Sequence, residues 1–198
     1  MWFSSILKNP SLKYFIFATA LAMGATPLQT ALAQQGTAES TALSAPAVAA
    51  MPNAKKMGEA TMRWFGLKLY DCQLWSEKAP GQFNFKSDKH YLELVYARNF
   101  DGEKIAEKSR EEIENQGVGK SAQLDQWQKK LTEIIPNVNK GTRLAALYVP
   151  GKGMSLFKDG QLVGEASDPE LASAFMGIWL DPKTSEPVLR EKLIGLKK

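Results

Sequence analysis

The 198-residue chain is 44% apolar and 23% charged, a composition that excludes full-length disorder. One Cys and one His rule out a disulfide framework and a zinc site built from thiolates and imidazoles; any His-dependent triad must use His90. The formal charge of +4 is the small excess over 21 interspersed acidic residues, not the cationic face that duplex nucleic acid requires.

Residues 1–33 read as a secretory signal. Lys8 and Lys13 lead into the apolar run Tyr14–Ala25, and no acidic residue occurs before Glu39. That run is shorter than the roughly 20 residues that span a bilayer. Ala31-Leu32-Ala33 supplies the small residues a signal peptidase reads, so cleavage before Gln34 and a periplasmic or secreted destination are predicted. Cleavage removes Lys8 and Lys13 and halves the formal charge. Gln34–Ala50 contains no aromatic residue, is rich in Ala, Ser and Thr, and reads as a flexible linker. Residues 51–198 then suit one domain with a single core. Cys72, with nothing to pair with, reads as a buried and inert thiol.

Two strands open the domain, Glu59–Phe65 and Leu67–Trp75, punctuated by Gly66. Neither face of the second is cleanly polar, as expected of a strand covered on both sides over part of its length. His90–Ala97 is a third strand. Asp101 can cap a helix over Glu103–Gln116, whose thin stripe of Ile105, Ser109 and Ile113 places it on the surface. Ser121 can cap a second helix. There Leu124, Trp127, Leu131 and Ile134 recur at spacings of three, four and three before Pro136 ends it. A meander follows: Thr142–Val149, Met154–Lys158 and Gln161–Ala166, the last two joined by Asp159-Gly160, the signal of a two-residue type I′ hairpin. Asp168-Pro169 starts a helix carrying Leu171, Phe175 and Trp179, and Thr184 or Ser185 caps a final one. The order β-β-β-α-α-β-β-β-α-α predicts an α+β fold, an antiparallel β-sheet with helices packed over one face.

Several motifs fail on inspection. Gly151-Lys152-Gly153 lacks the Ser or Thr that follows the lysine of a phosphate loop. Gly153-Met154-Ser155 is no nucleophile elbow, because Phe157 stands where the second Gly belongs. Glu111, Glu112 and Glu114, interleaved with Lys108 and Arg110, read as a solvated helix face. Arg98 and Arg190 read as ion-pair partners near element ends, and Trp127, Phe175 and Trp179 as core.

One long pattern remains. Pro150-Gly151-Lys152-Gly153, Lys158-Asp159-Gly160, Gly164, Asp168-Pro169 and the run Phe175-Met176-Gly177-Ile178-Trp179-Leu180-Asp181-Pro182 lead into Leu189-Arg190 and Leu193-Ile194-Gly195. Tyr70-Asp71 and Tyr96-Ala97-Arg98 precede them. This order resembles the exported bacterial chalcone isomerase-like family over about Met57 to Leu196. The resemblance implies an open-faced β-sandwich with a ligand cleft between sheet and helices.

Fold likeness does not carry activity with it. Cyclisation of a chalcone places negative charge on a carbonyl oxygen, which calls for an electropositive donor and orienting hydroxyls in a dry cleft. By the resemblance, the arginine of such enzymes falls on Arg63 and a threonine on Tyr70. A tyrosine falls on Ile105, an asparagine on Glu112, and a serine or threonine near Ala174. Only the arginine keeps its chemistry, so cyclisation is not expected. The resemblance also extends to fatty-acid binders, in which an arginine and nearby hydroxyls hold the carboxylate. Arg63 and Tyr70 are therefore the expected ligand-binding residues, and the expected function is non-catalytic binding of an apolar carboxylate such as a fatty acid, without metal or cofactor. Two alternatives stay open. One is an intramolecular lyase or isomerase acting on an unknown enone through the same two residues. The other is a partner-binding module with no small ligand.

Overall fold

The computed structural model describes residues 45–197; the expected signal and the first part of the expected linker lie outside the described residues. The elements are α1 (Ala45–Ala50), β1 (Lys55–Trp64), β2 (Leu67–Ser76), β3 (His90–Tyr96), α2 (Gly102–Asn115) and α3 (Ser121–Ile134). They continue with β4 (Arg143–Val149), β5 (Gly153–Lys158), β6 (Gln161–Ala166), α4 (Pro169–Leu180) and α5 (Pro187–Leu193). The six strands form one sheet in the order β1-β2-β3-β4-β5-β6, each antiparallel to its neighbour. The fold is α+β, as the element order predicts.

Strand register explains how the helices reach the sheet. Gly58, Leu74, Leu92, Ala146, Leu156 and Gly164 form one continuous row across all six strands. The middle of the row is apolar and buried. Its two ends are glycines because helices touch backbone there. A methyl built on Gly58 meets the carbonyls of Lys192 and Leu193 in α5, and one built on Gly164 meets Ile134 at the end of α3. Alternation along a strand makes every second residue take this inner face.

The outer face is only partly polar. Trp75, Tyr91 and Leu147 lie side by side on β2, β3 and β4, and α1 covers them. Ala47 and Met51 are fully buried against that patch. The linker expected up to Ala50 therefore ends in a packed helix. Its small residues fit a flat aromatic surface, and the mixed faces of β2 follow from that double cover.

Caps and turns follow local chemistry. Asp168 accepts from the Glu170 and Leu171 amides at 2.8 and 3.1 Å, and its other oxygen takes the Trp127 indole N–H at 2.8 Å. One carboxylate thus caps α4 and ties α3 to it. Leu124, Trp127, Leu131 and Ile134 are all buried, as their spacing predicts. Helix α2 differs from expectation. Its buried face is Gly102, Ala106, Ser109, Glu112 and Ile113, with Ile105 only half-buried, so it is a packed layer and not a surface helix. Asp101 makes no side-chain cap bond; Asn137 accepts the Gly102 amide instead at 2.8 Å. The last helix starts at Pro187, with the Thr184 hydroxyl accepting the Glu186 amide at 3.2 Å.

Candidate functional site

Arg63 and Tyr70 lie on adjacent strands but do not converge. Met62 is the residue paired with Tyr70, and both are buried on the inner face. Arg63 follows Met62, pairs with Lys68 where the register shifts, and is exposed. Among the described residues its Nη1 reaches only the Gly66 carbonyl, at 3.4 Å, beside the β1–β2 turn. The expected placement of Arg63 in a dry cleft is thus corrected: Met62 already holds the inward position. The fatty-acid and enone-isomerase readings both lose this pair as their shared site.

Tyr70 sits in a polar pocket of the core. Its hydroxyl accepts from Trp179 Nε1 at 3.1 Å, and its ring meets Tyr96 at 5.8 Å. Burial pushes both phenols well above the ordinary range, so each stays protonated. Ser185, ahead of α5, donates to Glu112 Oε2 at 2.7 Å. Glu186 is held above the usual carboxylate range, first by burial and then by Glu112. Glu186, which acts electrostatically on Tyr70, makes this region unfavourable for an anionic head group. The Tyr70 hydroxyl is present, yet its surroundings carry the wrong sign for a carboxylate.

Cations and apolar surface meet elsewhere, along the flank of α4. A cleft of about 300 Å³ is lined by Phe83, Phe85, Leu180, Pro182 and Ile194 together with Asn84, Lys86, Asp181 and Arg190. A second cleft of about 320 Å³ shares Phe85, Lys86 and Asp181 and extends past Ala174 and Gly177 to Val118 and Trp127. Both volumes fall at the lower end of the small-molecule range.

Arg190 is the organised cation of this groove. Its Nε donates to the Leu180 carbonyl at 2.8 Å, which fixes the guanidinium to the end of α4. Among the described residues its Nη atoms have no acceptor. Lys86 lies 5.5 Å from the Phe85 ring centroid and 3.9 Å from Asp181, with most of its side chain in solvent. Arg190 was expected to serve as an ion-pair partner, but it bonds a carbonyl. Arg98 likewise donates to the Lys68 carbonyl, at 3.2 Å. Sequence reasoning passed over Arg190 because nothing in the spacing says which acceptor lies opposite a helical arginine. Among the described residues, no group of three or more His, Cys, Asp or Glu side chains is placed to hold a metal.

Cys72 is fully buried, with Sγ 3.3 Å from the Ala60 carbonyl and its thiol pushed up to about 12, chiefly by burial. It is inert at neutral pH, as expected.

A six-stranded antiparallel meander with α2–α5 on one face defines an open-faced α+β sandwich. Residues 55–195 match the family described as chalcone isomerase-like, and the chain belongs to that family. It is 25% identical over 142 residues to an uncharacterized protein of Haemophilus influenzae, covering 72% of this chain and 68% of that one. The fold is similar to the crystal structure of the Arabidopsis thaliana fatty-acid binding protein AtFAP1. That match has a TM-score of 0.56 at 11% identity, covering 73% of this chain and 88% of the other.

Proposed function

We propose that the chain is a non-catalytic binder of an apolar carboxylate such as a fatty acid, acting outside the cytoplasm after loss of its signal. The observation that carries this reading is Arg190, held by its Nε to the Leu180 carbonyl and lining a cleft together with Phe83, Phe85, Leu180 and Ile194. A guanidinium in that state can take a carboxylate through two parallel bonds. Lys86 adds positive charge at the junction of the two clefts and offsets Asp181. The fatty-acid binding of the structurally similar Arabidopsis protein supports the same ligand class.

Magnitudes explain why the charge matters. Burying about 14 methylenes at about 0.8 kcal/mol each offers about 11 kcal/mol. Association and ordering cost about 4–15 kcal/mol, so an apolar groove alone binds weakly. The charge-assisted contact then fixes orientation and decides whether binding is observed.

The test is native mass spectrometry of protein recovered from the extracytoplasmic fraction, followed by titration of the stripped protein with palmitate. A chain beginning at Gln34 and carrying a lipid-sized adduct is expected. Arg190→Met should weaken palmitate binding by about tenfold to a hundredfold, and Lys86→Met should weaken it less. Lys86 is an exposed side chain, so its variant keeps the fold and isolates the charge. Equal affinity in both variants and wild type contradicts the assignment.

A further inference from the structure

The described residues contain two hairpins with two-residue turns of the same kind, and one carries the wrong residue for its backbone. At β5–β6 the turn is Asp159-Gly160, with φ of 51° and 83°. At β1–β2 it is Phe65-Gly66, with φ of 46° and 79°. Asn, Asp or Gly suits the first of these positions, because a left-handed conformation crowds any bulky side chain. Phe65 is bulky and gains little burial for the strain, since it is 87% exposed. Its ring meets that of Trp64 in a T-shaped arrangement, at 4.7 Å between centroids. Leu67, on the other arm, is 41% exposed.

Cations surround this apolar tip. Arg63 reaches back to the Gly66 carbonyl, Lys68 flanks Leu67, and Arg98 donates to the Lys68 carbonyl. Asp71 engages the Lys68 ammonium and the Thr61 hydroxyl one turn of the ladder further from the tip. The arrangement is an aromatic and aliphatic point with basic side chains behind it.

We propose that the β1–β2 hairpin is a membrane-docking tip that inserts Phe65, with Leu67, into the interface of an anionic phospholipid bilayer while Arg63, Lys68 and Arg98 meet the phosphates. Shape selects a bilayer over a protein partner. A two-residue turn is convex and narrow, so it offers a rigid partner too little area for a stable interface, whereas a fluid interface closes around it. Aromatic side chains favour the headgroup level, and basic residues near an anionic surface add attraction that falls with salt. The proposal does not rest on the ligand-binding reading, because it uses no residue of the α4 groove.

The experiment is flotation of the full chain, as recovered from expressing cells, with vesicles of phosphatidylcholine containing about a third phosphatidylglycerol. Wild type is expected to float with these vesicles and to release in high salt. Phe65→Asn should cut partitioning by about tenfold, the order expected for one exposed aromatic ring. The same variant should melt no lower than wild type, because Asn relieves the turn. Arg63→Gln with Lys68→Gln should lower binding and flatten its salt dependence. Any apolar N-terminal segment is common to all variants, so the difference reads the hairpin. Equal flotation of wild type and Phe65→Asn overturns the proposal, as does a lowered melting temperature in that variant. A concentration-dependent dimer abolished by Phe65→Asn also overturns it, since the tip would then be a contact between copies.

Discussion

Replacing Gly58 by Ala is expected to lower stability by about 3 kcal/mol or more, a large loss for the addition of a single methyl group. The cause is backbone against backbone. A methyl at this position lies 1.9 Å from the Lys192 carbonyl oxygen and 2.6 Å from that of Leu193. Neither atom can rotate away, so the only relief is to lift α5 from β1. Lifting it exposes Leu189 and Leu193, both buried beneath the helix, and carries Arg190 off the end of α4. Denaturant melts of Gly58→Ala should therefore show reduced stability together with loss of hydrogen-exchange protection confined first to 187–196. Palmitate affinity should fall in parallel. Wild-type stability in Gly58→Ala contradicts the close approach of α5.

Acidification should destabilise the protein between about pH 6.5 and pH 4, by about 3 kcal/mol, through His90. The ring is fully buried between Phe83 and Tyr148, with centroids at 5.3 and 4.8 Å. Nδ1 lies 2.8 Å from the Asp88 carbonyl, which assigns the proton to that nitrogen, and Nε2 is buried without a partner among the described residues. Burial drives the imidazole down to about 4, and Asp88 opposes that only in part. The folded value lies below the unfolded one, so the stabilisation is complete above about pH 6.5. It shrinks as pH falls, because the unfolded chain takes up the proton first. Glu93 and Glu186 are shifted the other way, upward by burial, and contribute stability in acid that is lost as pH rises. Comparing wild type with His90→Gln isolates the histidine. Urea midpoints at pH 7 and pH 4.5 should differ strongly in the first and far less in the second. Matching acid sensitivity in the two proteins contradicts a neutral buried ring.

Much of the frame was legible from residues alone. The apolar spacing of α3, the Asp159-Gly160 turn and the Asp168 cap each rest on local chemistry that tertiary contacts reinforce. The long run from Phe175 to Pro182 identified the family. What escaped the sequence depended on partners distant in the chain. Helix α2 is buried through Ser109 and Glu112, which a search for apolar stripes scores as surface. Glu112 is tolerable inside because Ser185, from a distant segment, donates to it. Helix α1 looked like linker because its alanines carry little apolar weight, and their value comes from the aromatic patch beneath them. Arg63 illustrates a sharper limit. Alternation fixes that Met62 and Arg63 face opposite ways, but one strand does not say which way is in. Arg190 had the opposite fate, read as a structural ion pair while the fold gave it a carbonyl and a cleft.

The central claim is that a carboxylate sits on Arg190 with its chain along α4. The direct measurement is a crystal structure with a fatty acid brominated at its far end, located by anomalous scattering. The account predicts a carboxylate about 2.8 Å from the Arg190 Nη atoms. It places the bromine beyond Phe85, in the cleft that reaches Trp127. A carboxylate beside Tyr70, or a bromine peak on the other side of the sheet, contradicts it.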